Sequence, residues 1–248
     1  MTISIVTATY NSALTVADTL TSVNRQSYKS IEHIIVDGAS GDNTLEIVDR
    51  FPHVAKVISE KDHGIYDAMN RGVGLASGEV VAILNSDDVY IDEQVVAKVM
   101  SAFEDPSIDA AYGDLQYVRS DDLNTVTRTW RSGGFSIRKF YYGWMPPHPS
   151  FFVRRRVYEQ VGRFNCTLKS SADYEFMLRV LVKYRLKPRY IPQVLVKMRT
   201  GGMSNASLQH RLRANREDRE AWRLNDLDPY FFTIPLKPLR KVFQFMIK

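Results

Sequence analysis

The sequence is poor in cysteine: Cys166 is the only one among 248 residues. A single thiol can neither close a disulfide within the chain nor supply a cysteine metal cluster, which excludes a disulfide-stapled scaffold and fits a reducing compartment. Long apolar runs are missing as well. No stretch approaches the roughly 18 residues needed to span a bilayer. The opening "MTISIVTATY" lacks the basic start and long apolar stretch of a secretion signal. The expected location is therefore cytoplasmic, peripheral at most to the inner face of the cell membrane. There is no glycine-rich phosphate cradle either. "GASGDNT" matches neither G-x-G-x-x-G nor G-x-x-x-x-G-K-[ST], so any bound phosphate would need a metal and basic side chains. No basic stripe or groove-reading motif stands out, and no nucleic-acid partner is expected.

What is present is ordinary globular composition, with 44% hydrophobic and 25% charged residues. The net charge of +5 suits an anionic partner. The first hundred residues alternate regularly. "ISIVTA", "EHIIVDG", "VAKVISE" and "EVVAIL" read as strands. "SALTVADTLTSVNRQ", "NTLEIVDRF", "IYDAMNRGVGLA" and "DEQVVAKVMSAFE" read as helices, the first with apolar residues at helical spacing. Asn43 and Glu46 are spaced like a capping box. Four strand–helix alternations with short connections predict an α/β fold, a mostly parallel sheet with helices on both faces. The second half is less regular. It predicts strands in "DAAYGDLQYV", "TVTRTWR" and "YIPQVLVKMR", a Pro-rich loop at "MPPHPSFFVRR", and a helix in "ADYEFMLRVLVKY". The expected organisation is one domain over 1–205, with a nucleotide half (1–105) and an acceptor-side half (106–205). A helical, basic and aromatic tail follows over 206–248.

In parallel sheets the ligand crevice lies beyond the carboxyl ends of the strands. Here those ends read Thr7-Ala8-Thr9-Tyr10-Asn11, Asp37-Gly38, Glu60-Lys61-Asp62 and Asn85-Ser86-Asp87-Asp88. Polar and acidic residues converge on one edge. Asp87 and Asp88 suit a divalent ion, which binds hard oxygens, often one or two carboxylates plus substrate phosphates. The plainer alternative is a turn. Asp37 reads either as an acceptor for a base or ribose hydroxyl or as the start of an Asx turn. Asp42 reads as a helix cap. Arg71, Arg199 and His148 are candidates for the phosphate side, and each also suits an ordinary surface position. Asp173 opens a helix, where an acid complements the dipole or serves as a general base.

Taken in order, "SIVTATYN", "IIVDGASGDNT", "GIYDAMNRGVGLASGEVVAILNSDD", "HPSFFVRRRVYEQVGRFN" and "SADYEFMLRV" resemble the family 2 inverting glycosyltransferases, in particular bacterial members that build capsule, exopolysaccharide or O-antigen chains. The resemblance covers about residues 1–205. It implies a GT-A fold and transfer from a nucleoside-diphosphate sugar, a UDP-sugar, to a saccharide or polyprenyl-diphosphate-linked acceptor. It places Thr9, Tyr10 and Asn11 beside the nucleoside and Asp37 at the uracil. Asp67 and Arg71 join the nucleotide side. Asn85, Ser86 and Asp87 fall on the D-x-D segment, with Asp87 and Asp88 on Mn²⁺ or Mg²⁺. His148 and Arg199 fall on the acceptor or phosphate side. Asp173 matches the catalytic base. Two positions depart from the family pattern: Gly38 stands where a second acid is usual, and Asn85 where D-x-D begins with Asp.

A sugar hydroxyl is a poor nucleophile, so a carboxylate must take its proton as it attacks. A metal on the leaving diphosphate and an in-line geometry supply the rest. Two rival readings are a sugar nucleotidyltransferase and a non-catalytic sugar-nucleotide-binding module. The first would carry a glycine-rich basic loop after the first strand, and "TATYNSALT" has none. The second would not need Asp173 or a metal. The tail mixes Tyr230, Phe231, Phe232, Phe243 and Phe245 with Lys237, Arg240, Lys241 and Lys248. That mixture suits an anionic membrane surface, or packing against the domain.

Overall fold

The structure, a computed structural model, describes residues 1–201 and 208–243; in 208–212 and 241–243 it describes the helical backbone alone. Phe245 and Lys248 lie outside the described residues. The first half follows the expected alternation. Strand β1 (Ile3–Thr9) leads to helix α1 (Val16–Asn24), β2 (Ile31–Asp37), α2 (Thr44–Val48), β3 (Val54–Ser59), α3 (Ile65–Leu75) and β4 (Val80–Ile83). β1 is buried along its whole length, as a strand covered on both faces must be. Its side chains alternate between two layers. Val6 and Ala8 pack with α3, while Ile3 and Ile5 face the layer that holds α4 (Val95–Ala102). Gly72 lets α3 lie close on β1, since a Cβ there would stand 2.2 Å from Val6 Cγ1.

The second half adds β5 (Val89–Tyr90), β6 (Ala110–Val118), β7 (Val126–Trp130), α5 (Ile137–Tyr141), β8 (Phe151–Arg154), α6 (Arg155–Val161), α7 (Ala172–Leu178) and β9 (Pro188–Arg199). The sheet runs β3-β2-β1-β4-β8-β6-β9-β5, with β7 on β6. Pairs among β1 to β4 are parallel, but β8 lies antiparallel between β4 and β6. β6 and β9 are parallel as well, so most of the registered pairs are parallel, and the antiparallel β8 makes the sheet a mixed one. β6 and β7 form a hairpin, and such a connection gives antiparallel pairing without a crossover helix.

Helix α7 continues into a π-helical turn over Arg179–Lys183. From Ala172 to Val182 every side chain is buried except Asp173 and Arg179. A helix apolar nearly all round lies within the core, and Asp173 and Arg179 are the two side chains of this one that solvent reaches. The core continues past residue 205. Trp222 on α8 (Leu208–Leu224) is fully buried, and its indole N–H donates to the Tyr174 hydroxyl at 2.9 Å. On α9 (Thr233–Phe243), Lys237 reaches both oxygens of buried Asp218 at 2.7 Å and lies 3.6 Å over the Tyr174 ring. The described part of the tail thus packs on the domain. The capping-box expectation fails at α2: Asn43 makes no capping bond. Asp42 takes that place, accepting from Thr44 N–H at 3.0 Å.

Strand β2 carries a buried histidine, His33, bonded to Thr7 Oγ1 of β1 at 3.0 Å and to His53 at 3.2 Å. Burial, then the nearby His53, hold its pKa down at about 3, against an ordinary 6.5. Below pH 6.5 the unfolded chain takes up a proton that folded His33 refuses. The stabilisation is complete above that pH and is lost progressively as pH falls toward 3. Urea unfolding at pH 7, 5.5 and 4.5 is expected to show a flatter pH slope for His33→Gln than for the parent. Equal slopes would contradict this assignment.

Candidate active site

The parallel register sets Thr9 beside Asp37 and Asp37 beside Ser59. Asp37 is fully buried. Its Oδ1 accepts from Thr9 Oγ1 at 2.9 Å and from Ser40 Oγ at 2.5 Å. Its Oδ2 accepts from Ser40 N–H at 2.9 Å and from Ser59 Oγ at 2.8 Å. A carboxylate offers about four lone-pair positions, and all four are used. In this structure Asp37 ties three strand ends together and forms the floor beneath Tyr10. Tyr10 projects above that floor, 66% exposed. Asn11 has a φ of +50°, which Asn tolerates better than most residues. Its N–H donates to Ser40 Oγ at 2.8 Å, and its Oδ1 accepts from Gly41 N–H at 2.9 Å. The loops after β1 and β2 are thus laced into one rim.

Asp67 and Arg71 stand one turn apart on α3 and pair at 3.1 Å. Asp67 also accepts from His63 N–H at 3.1 Å, and Arg71 donates to the Lys61 carbonyl at 3.3 Å. Together they brace the loop that leads from β3 into α3.

Beyond β4 the chain does turn, with Asp88 N–H donating to the Asn85 carbonyl at 3.1 Å. The turn and metal readings coexist, because the turn presents the carboxylates. Asp88 is fully buried, and its Oδ2 accepts from Asn85 Nδ2 at 3.0 Å. Its Oδ1 and Asn85 Oδ1 are shielded from solvent with no partner. Asp87 is half-buried, and no other described residue donates to its carboxylate. Burial raises the pKa of both acids, and for Asp88 the Asp87 charge adds to the effect. Ser86 Oγ meets Ser12 Oγ at 2.8 Å, fixing the turn to the loop after β1. Two adjacent acids, one with an unpartnered buried oxygen, form a site short of positive charge. Such oxygens fit Mn²⁺ or Mg²⁺. No group of three or more acids, histidines or cysteines with metal-holding geometry occurs among the described residues, so diphosphate oxygens and water would complete the shell. Asn85 now has a physical reason. An Asp there would set a third carboxylate against Asp88, whereas the amide donates to it.

Arg199, expected on the phosphate or acceptor side, braces the same turn. It is 8% exposed. It donates to the Asp87 carbonyl at 2.8 Å, the Asp18 carboxylate at 2.5 Å and the Ser120 carbonyl at 3.1 Å. Its charge opposes the upward push on both acids.

Asp173 stands in the first turn of α7, and its Oδ1 accepts from the Tyr66 hydroxyl at 3.0 Å. Tyr66 belongs to the first turn of α3, which follows β3 at the carboxyl edge of the parallel strands, so this bond brings Asp173 to that edge. Burial, then the Asp173 charge, push the Tyr66 hydroxyl well above its ordinary pKa, and it stays a donor. His148, in a 3-10 turn after Pro147, packs edge-on to Phe164 at 5.9 Å. Its Nε2 is shielded and unpartnered. Burial lowers its pKa, and the nearby Asp173 charge opposes that. Asp173, His148 and Tyr66 thus form one cluster.

Two contributors escaped sequence reasoning. Tyr66 sits in "GIYDAMN" at a position that reads as helix filler. Glu217 lies in a helix that reads as polar throughout, yet its Oε2 accepts from Ser170 N–H at 2.7 Å and Ser171 N–H at 3.1 Å. It thereby fixes the entry to α7. No local spacing signals either contact.

Comparison with known proteins bears on the family and the fold. The chain is 32% identical over 209 residues to the PGL/p-HBAD biosynthesis glycosyltransferase of Mycobacterium bovis, covering 82% of this chain and 78% of that one. It is 27% identical over 194 residues to an uncharacterized glycosyltransferase, YwdF, of Bacillus subtilis, covering 75% and 70%. The fold resembles that of S. aureus TarS 1–349 in complex with UDP-GlcNAc, with a TM-score of 0.71 at 19% identity; the match covers 91% of this chain and 65% of that one. It also resembles the mannosyltransferase PcManGT of Pyrobaculum calidifontis in complex with GDP-Man and Mn²⁺, at TM-score 0.66 and 19% identity, over 96% and 68%. The Glycosyl transferase family 2 profile matches residues 4–162, and on that match and the 32% identity the chain is a member of this glycosyltransferase family with a GT-A fold.

Proposed function

We propose that this glycosyltransferase moves a sugar, with inversion, from a UDP-sugar to a hydroxyl of a saccharide acceptor carried on polyprenyl diphosphate, in cell-surface polysaccharide synthesis. The observation that carries the reading is Asp173. Tyr66 holds its Oδ1, and its Oδ2 takes no bond from any described residue. In the reaction the acceptor oxygen attacks the anomeric carbon and the bond from that carbon to the diphosphate breaks. The hydroxyl proton passes to Asp173 Oδ2. One displacement inverts the anomeric configuration, and no covalent sugar–enzyme species forms. A divalent ion held by Asp87 and Asp88 would supply Lewis-acid neutralisation of the leaving diphosphate. The complexes of the two structural neighbours, one with UDP-GlcNAc and one with GDP-Man and Mn²⁺, support a nucleotide sugar and a metal as this chain's ligands.

A thermal-shift panel of UDP- and GDP-sugars, with and without Mn²⁺, tests the donor. Stabilisation by a UDP-sugar that requires Mn²⁺ is expected. A chain that no nucleotide sugar stabilises would contradict the reading. Release of pyrophosphate from a nucleoside triphosphate and a sugar phosphate would favour a nucleotidyltransferase, and donor binding without hydrolysis a non-catalytic module.

Among the described residues no helix is long and apolar enough to cross a membrane. We place the enzyme at the inner membrane face through the outer side of the tail. There Tyr230, Leu239 and Phe231, the last 93% exposed, accompany exposed Arg240. Sedimentation with anionic liposomes is expected to fall when Phe231 and Arg240 are replaced by Ser. Binding indifferent to both lipid charge and this change would sink the idea.

A further inference from the structure

Position 38 lacks the second acid usual after β2, and the acid beside it, Asp37, has no lone pair to spare. The space above Gly38 is nevertheless not empty. A Cβ built there would lie 2.6 Å from Asp62 Oδ2 and 3.3 Å from Tyr10 Cδ2. The carboxylate from the end of β3 thus stands over the glycine, next to the exposed Tyr10 ring. The approach is fixed by backbone bonds. Gly38 N–H donates to the Thr9 carbonyl at 2.8 Å, and Glu60 N–H donates to the Asp37 carbonyl at 2.9 Å. Asp62 Oδ1 is occupied, accepting from Gly64 N–H at 2.8 Å. No described residue donates to Asp62 Oδ2, and the side chain is only half-buried.

We propose that Asp62 is the base-reading residue of this enzyme, that Gly38 is the vacancy which admits it, and that it selects a nucleobase presenting a ring N–H, as uracil does at N3. The inference rests on the nucleotide-sugar reading above. Oδ2 keeps its acceptor positions free toward the Tyr10 ring. Uracil offers one N–H, at N3, on that edge. Cytosine and adenine present a bare ring nitrogen there, which a carboxylate repels. The Tyr10 ring supplies a π-face on which the base can stack, a contact tolerant of base identity, so selection falls to Asp62. Recognition by a hydrogen bond to a buried or semi-buried polar group discriminates strongly against a ligand that lacks the partner.

The test is isothermal titration of UDP and N3-methyl-UDP, each with Mn²⁺, into the parent chain, Asp62→Ala and Gly38→Ala. The parent is expected to prefer UDP about tenfold or more. Asp62→Ala is expected to bind the two ligands equally, with a melting temperature close to that of the parent. Gly38→Ala keeps Asp62 but pushes its carboxylate aside, and should lose most of the preference too. If Asp62→Ala keeps the parent's preference, or Gly38→Ala keeps it in full, the assignment is overturned while the UDP-donor reading stands. If the parent binds GDP and not UDP, the UDP-donor reading itself falls, and the assignment with it.

Discussion

Asp173→Asn is expected to keep donor binding and to lose transfer by about 10²–10⁴-fold, the range for removal of a general base. The amide is nearly isosteric and can still accept the Tyr66 hydrogen bond seen at 3.0 Å, so α7 and the crevice keep their shape. What it cannot do is take the acceptor proton. In the proposed function donor affinity comes from the strand ends of β1 to β4, which the substitution does not touch. The measurement is therefore double: calorimetric donor affinity close to that of the parent, and kcat reduced. Full turnover by Asp173→Asn would remove the assigned base. A large loss of donor affinity with kcat intact would mean that Asp173 belongs to the donor site.

Asp87→Ala is expected to abolish the Mn²⁺-dependent part of nucleotide stabilisation and to lower transfer by about 10²–10³-fold, equivalent to several kcal/mol of leaving-group stabilisation. The carboxylate is half-buried and serves no other described residue, so its loss should not unfold the chain. Asp88 is different. It is fully buried and bonded to Asn85, so changing it disturbs the turn as well as the charge. That contrast makes Asp87 the cleaner probe. Undiminished Mn²⁺ dependence in Asp87→Ala would show that the ion is held elsewhere.

Much of the fold was legible because β1 to β4 are apolar strands that end abruptly in polar residues, a pattern with few architectural solutions. The same pattern points to one sheet edge as the candidate site. The roles of individual acids were less legible, because they depend on register across strands far apart in sequence. Asp37 is saturated only because Ser40 and Ser59 are brought to it. Asn85 reads as an altered metal ligand until Asp88 is seen to accept its amide proton. The antiparallel β8 carries no crossover helix to betray its direction. The tail reads as a separate appendage because α8 is polar overall, yet one buried tryptophan, Trp222, fastens it to the core. Asp173 itself looked like an ordinary helix-start acid, and only Tyr66, 107 positions away, shows where it points.

The central claim is a single displacement at the anomeric carbon, assisted by one carboxylate. Water can stand in for the acceptor, so the claim can be tested without knowing the natural one. The parent chain with Mn²⁺ and the α-linked UDP-sugar that stabilises it best would be followed by proton NMR from the first minutes. The account predicts that the β-anomer of the free sugar appears first and then mutarotates. First appearance of the α-anomer would contradict it.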